Sequence, residues 1–176
     1  MRADRSGIAA TEFAIIVPIM LVMFFGTVEF SSGVAVDRKV TLMARTLSDL
    51  TSQSVSVGDS DMTNFFAASA AIMTPYSSTP TKSTITELYV DPATLQARVQ
   101  WSKGTTPRTA GSQVAIPAAL KIAGTYLIFS EVSYLYVPTI GYVMAKAGVN
   151  LSDVSYTRPR QSTCVYYSPA TACTTL

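Results

Sequence analysis

The sequence predicts an α+β fold in which a long N-terminal helix packs on a C-terminal antiparallel β-sheet domain. Three observations predict it. A largely apolar run, with Glu12 its single charged residue, fills residues 8–28. An apolar stripe on Val36, Val40, Met43, Leu47 and Leu50 follows at alternating steps of four and three, the spacing of one helix face. The second half of the chain then changes to a period of two, which marks strands with one buried face.

The apolar run is about 21 residues, or about 31 Å at the helical rise, and matches a hydrocarbon core of about 30 Å. Pro18 lies inside it and removes the hydrogen bond to the Ala14 carbonyl, a loss of about 3 kcal/mol in water that membrane helices absorb as a kink. Gly26 reads as a packing accommodation. Arg2, Asp4 and Arg5 precede the run, and Asp37, Arg38, Lys39 and Arg45 follow it, so flanking cations do not fix the orientation. A short N-terminal tail is easily left in the cytoplasm while a large C-terminal part is exported. A cleaved secretory signal fits poorly, because signal apolar regions run about 7 to 15 residues and this one is longer.

Glu12 is the residue that asks for an explanation. A carboxylate costs about 2.5 to 3.5 kcal/mol at the centre of a bilayer helix. Glu29 stands about 25 Å farther along a helix, so the two carboxylates can lie near the two membrane faces, where the cost is smaller.

The amphipathic stripe continues the apolar helix without a break, giving one rod over residues 8–52, about 67 Å long. It is too short to demand a coiled coil, and either the chain's own sheet or a partner helix can cover it. The polar stretch 51–60 reads as a linker. Ser60 or Asp61 can cap a short helix carrying Met62, Phe65, Phe66 and Met73 on one face, and Pro75 forces its end.

Leu95, Ala97, Val99 and Trp101 alternate with Gln96, Arg98, Gln100 and Ser102 as a strand. Its partner is 85–90, joined through Asp91, Pro92, Ala93 and Thr94 as a hairpin turn. Residues 126–137 are apolar on nearly both faces apart from Glu131 and the serines, as a central strand should be. A last strand falls near 154–157.

Gly7 and Ile8 followed by Glu12 resemble the type IV prepilin processing site, behind a short basic leader and ahead of an apolar span. The run 7–18, with Glu12 and Phe13 and then Gly26, Thr27, Val28, Glu29 and Phe30, resembles the TadE-like pseudopilins of tight-adherence (Tad/Flp) pilus systems. Thr11 stands where an apolar residue is more usual, and Ser31 and Ser32 where Gly-Arg is.

That resemblance implies a pilin-like fold and cleavage by a prepilin peptidase after Gly7, leaving Glu12 as the fifth mature residue. Gly7 and Ile8 are then substrate positions. Glu12 becomes the subunit-assembly carboxylate, neutralising the new ammonium on Ile8 of a neighbouring subunit. At about 4 Å and an effective dielectric of about 20 such a pair attracts by about 4 kcal/mol before desolvation, enough to select register.

The implied division is a leader at 1–7, a transmembrane helix at 8–30, an amphipathic extension and linker at 31–58, and an extracytoplasmic α+β domain at 59–176. The implied partners are the peptidase, other pilins and pseudopilins, the pilus assembly platform and inner-membrane lipid. The implied location is the bacterial inner membrane, with the N-terminus cytoplasmic and the domain periplasmic, or a place in the extracellular pilus. Tyr156, Thr157, Arg158, Pro159 and Arg160 resemble a segment near the end of some TadE-like proteins; it suits docking on an acidic face or a solvated loop equally.

In an exported domain Cys164 and Cys173 read as a disulfide, with a loop-closure contribution of about 2 to 3 kcal/mol; in a domain facing the cytoplasm they read as thiols. There is no histidine, which removes Ser-His-Asp, Cys-His and the usual zinc chemistry. No Walker or dinucleotide glycine pattern occurs. Asp59 and Asp61 lack the oxygen-rich loop of a calcium site and suit a turn and helix cap. No cofactor or metal is expected, and a net charge of +2 gives no argument for nucleic acid. The chain reads as a non-enzymatic pseudopilin; the competing reading is an unprocessed, membrane-anchored extracytoplasmic binding domain.

Overall fold

A computed structural model describes residues 6–138 and 148–176, and side chains from Ala9 onward in the first of these. The leader residues Arg2, Asp4 and Arg5 lie outside the described residues. Helix α1 runs unbroken over Ser6–Ser52 with Pro18 inside it, as the continuous rod requires. The chain divides into two compact units within α1, between Ala35 and Val36.

The unit that begins at Val36 holds the sheet. After α1 come β1 (Ser56–Val57), α2 (Asp59–Ala71), β2 (Thr81–Val90), β3 (Ala97–Gly104) and β4 (Gln113–Val114). A 3-10 turn, Ala118–Leu120, leads to β5 (Tyr126–Tyr136), β6 (Val149–Thr157) and β7 (Tyr166–Tyr167). The main sheet is antiparallel in the order β4-β3-β2-β5-β6, so β5 is interior as its apolar composition demands. A second, two-stranded sheet pairs β1 with β7 in parallel.

Strand alternation separates two cores. On one face Ile128, Val132 and Tyr134 of β5, with Ile85 of β2, meet Val36, Val40, Met43, Ala44 and Leu47 of α1 and Met62 near the start of α2. On the other, Leu127 and Phe129 join Leu88, Val90, Ala97 and Val99 beneath Ile116, Val114 and Leu120. Each large apolar side chain so buried contributes about 1.5 to 3 kcal/mol. The amphipathic stripe therefore covers the chain's own sheet. Leu50 is only half-buried, because at 3.6 residues per turn the buried face passes from Leu47 to Thr51.

The predicted hairpin forms with two corrections. Leu95 lies in the turn, with φ of 55° and 43% exposure, and the strand starts at Ala97. The turn closes through Asp91, whose carboxylate accepts the Ala93 N–H at 2.8 Å and whose carbonyl accepts the Leu95 N–H at 2.8 Å. A bulge then sets Glu87 opposite Trp101 and Leu88 opposite Val99, leaving Gln100 as the extra residue. Gln100 is consequently buried, out of phase with the simple alternation, and its side-chain carbonyl accepts from Thr174 and from the Leu176 N–H.

The stretch 51–60 is more than a linker: it holds the last turn of α1, strand β1 and the start of α2. The N-cap of α2 is Gly58, ahead of both predicted candidates, and the Asp61 carboxylate reaches back to accept the Gly58 N–H at 2.9 Å. The last predicted strand extends back to Val149.

Candidate functional site

From Phe13 to Val28 the side chains of α1 are nearly all apolar and exposed, and Phe30 follows beyond Glu29. Phe13 is 69% exposed, Val22 73% and Phe30 74%, and an 18-residue window of the helix has a mean hydropathy of 2.2 with none of it buried. An apolar surface of this extent needs lipid or other helices against it. The helix is long and apolar enough to cross a membrane, and so fits a single-pass anchor. Gly26 has nothing within 4 Å of where a Cβ would stand, so no packing among the described residues requires it. Thr27 satisfies its hydroxyl on the Met23 carbonyl at 2.8 Å, a back-bond that keeps a polar group tolerable on this surface.

Gly7 and Ile8 lie in the first turns of α1, and Glu12 follows Ile8 by one turn, exposed on the helix. Glu12 therefore heads the apolar surface and is not absorbed into the folded core.

The second half of α1 is fixed to the sheet by polar as well as apolar bonds. Ser130 donates to the Ala44 carbonyl at 2.5 Å from within the buried face of β5. Ser48 shares hydrogen bonds with Ser155 and Thr157 of β6, each at 3.0 Å. The Lys39 ammonium donates to the carbonyls of Ile72 and Thr74, both at 2.7 Å, holding the chain that leaves α2 against α1. Arg160 donates its backbone N–H to the Ser52 carbonyl at 2.9 Å and pairs through its side chain with Asp49. Part of the Arg158-Pro159-Arg160 segment thus closes onto the chain's own helix.

Cys164 and Cys173 form a disulfide, with Cα atoms 5.8 Å apart. The loop they close is seated on a buried carboxylate. Val165 donates its N–H to Glu87 at 2.6 Å, and its carbonyl accepts the Trp101 indole N–H at 2.6 Å. Glu87 is 1% exposed, and burial pushes its pKa up from 4.5 to about 8, against the opposing pull of the Val165 N–H. Sequence reading did not single out Glu87, yet the phase of Ile85 in β2 already points it inward.

Asp59 is bound by the Tyr167 hydroxyl and by Lys103, which also sits 4.5 Å above the Tyr167 ring. These bonds hold the Asp59 carboxyl below its usual range, the Tyr167 bond most strongly. Asp59 and Asp61 are therefore engaged at the start of α2, and no cluster of three or more candidate metal ligands exists among the described residues. Of the residues singled out from sequence, the structure joins Cys164 to Cys173 and keeps Gly7, Ile8 and Glu12 together on the first turns of α1. The two groups belong to separate units.

Residues 7–47 match the family described as TadE-like protein. No curated protein and no solved structure matches the chain. The matched segment begins at Gly7, takes in Glu12 and the whole uncovered apolar surface, and ends at Leu47, the last apolar α1 residue of the buried face. Over residues 7–47, the helix that carries its candidate assembly residues, the chain is similar to TadE-like proteins.

Proposed function

We propose that the protein is a minor pilin or pseudopilin of a tight-adherence pilus, made as a precursor and cleaved by a prepilin peptidase between Gly7 and Ile8. The observation that carries this reading is the start of the TadE-like match at Gly7, immediately ahead of Glu12 and of an apolar helix surface that stays exposed among the described residues. Before assembly, α1 crosses the inner membrane with its N-terminus in the cytoplasm and the sheet domain in the periplasm. During assembly the same surface exchanges lipid for the helices of other pilus subunits, and Glu12 meets the ammonium of a neighbouring mature N-terminus. The role is structural: the peptidase supplies the only chemistry, and the sheet domain carries the contacts made outside the membrane. Disulfide formation between Cys164 and Cys173 suits an oxidising compartment and supports this orientation.

Mass measurement of the N-terminal peptide from membranes of the producing cell tests the reading. A mature chain beginning at Ile8 is the expected result. An intact Met1, or cleavage beyond the apolar run, would overturn the processing step.

A further inference from the structure

Strand β6 ends the main sheet, with β5 as its only strand neighbour among the described residues. Its sequence, VNLSDVSYT, contains neither proline nor lysine, the residues that commonly blunt an edge, and Val149 and Val154 are 53% and 49% exposed. The Val154 N–H is taken by the side chain of its own neighbour Asp153 at 2.8 Å. That local bond marks Val154 as pointing its polar groups off the sheet, and antiparallel alternation gives Ser152 and Tyr156 the same direction.

Beside this edge runs a groove of about 380 Å³ between α1 and β6. Arg45 and Asp49 line one wall; Ser155, Thr157 and Arg160 line the other. Asp49 serves Arg160, whereas Arg45 is exposed and has no carboxylate partner among the described residues. Arg158, exposed directly after β6, is likewise unpaired among them. Arg45, Arg158 and Arg160 outnumber Asp49 of the groove and Asp153 of β6, so the net charge of the surface favours an anion, and the planar fork of arginine favours a carboxylate.

We propose that the β6 edge and the groove between Arg45 and Arg160 form a docking surface for an extended acidic segment of another protein, which adds a strand to the sheet and sets its carboxylates on the arginines. Main-chain bonds to an edge supply affinity, and side chains at alternate positions supply selection. A second copy of this chain does not fit. Asp59 and Asp61 are its only carboxylate residues spaced two apart, and both stand in α2. The inference stands apart from cleavage after Gly7, since every residue it uses lies in the sheet unit.

The test uses the full chain in detergent micelles and a fluorescent peptide of about nine alternating glutamate and threonine residues, matched to the length of β6. Anisotropy should show saturable, salt-sensitive binding, and hydrogen exchange should slow at Ser152, Val154 and Tyr156. Arg45→Gln should weaken binding about tenfold while the melting temperature is unchanged, because Arg45 makes no ion pair within the described fold. Should that variant fail to fold, Arg158→Gln enters the same titration with the same direction expected. Absence of saturable binding overturns the proposal, as does equal binding of a peptide with lysine in place of glutamate. Equal binding of a peptide with proline in place of threonine shows an anion site without strand addition and also overturns it. Protection of the β6 amides that rises with protein concentration and no peptide would assign the edge to a second copy instead, against the proposal.

Discussion

Glu87 accepts the backbone N–H of Val165, the residue after Cys164, at 2.6 Å, so a buried carboxyl seats the disulfide loop on the middle of the sheet. The residue is 1% exposed, and its pKa is raised from 4.5 to about 8 by burial. Between those two values the unfolded chain has released a proton that the folded chain keeps. The stabilising contribution is thus complete below about pH 4.5 and is lost as pH rises through about 8. Relative to Glu87→Gln, which preserves the acceptor for Val165 and cannot ionise, the native protein should lose up to about 1.4 kcal/mol per pH unit across that window. Denaturant unfolding of both proteins at several pH values checks this. Parallel stability curves would show that Glu87 does not hold its proton.

Gly104 ends β3 with φ of +136°, and a Cβ there would stand 2.2 Å from the Ser83 carbonyl oxygen. The obstacle is backbone that also accepts the Thr105 N–H at 2.8 Å, so it cannot swing aside as a side chain would. Gly104→Ala should cost about 3 kcal/mol, combining a disfavoured backbone region with a steric clash. A lowered melting temperature is the expected readout, and an unchanged one would mean that the β2–β3 end opens freely.

Much of this fold was legible in the chain because periodicity reports burial directly. The stripe from Val36 to Leu47 and the pairing of 85–90 with the strand that begins at Ala97 both stand in the structure, the partners of 85–90 running from Lys103 back to Ala97. What escaped has identifiable causes. Strands β1, β4 and β7 have two residues each, too few to show a period. Leu95 carries the right hydrophobicity for a strand and fails on backbone conformation, which hydrophobicity does not encode. The Arg160–Asp49 and Ser130–Ala44 bonds join residues remote in sequence, and only the folded topology brings them together. For the candidate assembly residues the reverse holds. Gly7, Ile8 and Glu12 stood out in sequence through their position ahead of an apolar span, and the structure adds that this span is exposed among the described residues.

The disulfide should matter most where its loop meets the start of α2. Cys164 is fully buried, and β7 beyond it carries the pairing with β1 and the Ser168 N–H bond to the Val57 carbonyl at 2.9 Å. Replacing both cysteines by serine removes a short-loop constraint of about 2 to 3 kcal/mol and puts a hydroxyl in an apolar position. Hydrogen exchange at Val57 and Tyr167 should accelerate before the β2–β5 ladder changes. Uniform acceleration over the sheet would instead show that the loop and the sheet open as one unit.

Substitution of Glu12 should separate assembly from membrane insertion. Its carboxylate is exposed at the head of α1, and the helix beyond it retains its apolar length whatever stands at this position. Glu12→Ala makes the segment more apolar, so insertion should be retained, with carbonate-resistant membrane association as the check. If the carboxylate neutralises the Ile8 ammonium of a neighbour, the same variant leaves that charge unpaired in a helix bundle, where an unpaired buried charge costs about 3 to 5 kcal/mol. Recovery in sheared pili, or crosslinking to other pilus components, should then fall sharply, and Glu12→Gln should behave like Glu12→Ala because the charge carries the effect. Normal pilus assembly by both variants would refute the pairing role and favour a membrane-anchored domain that never enters a filament. Loss of membrane association itself would refute the separation of the two steps.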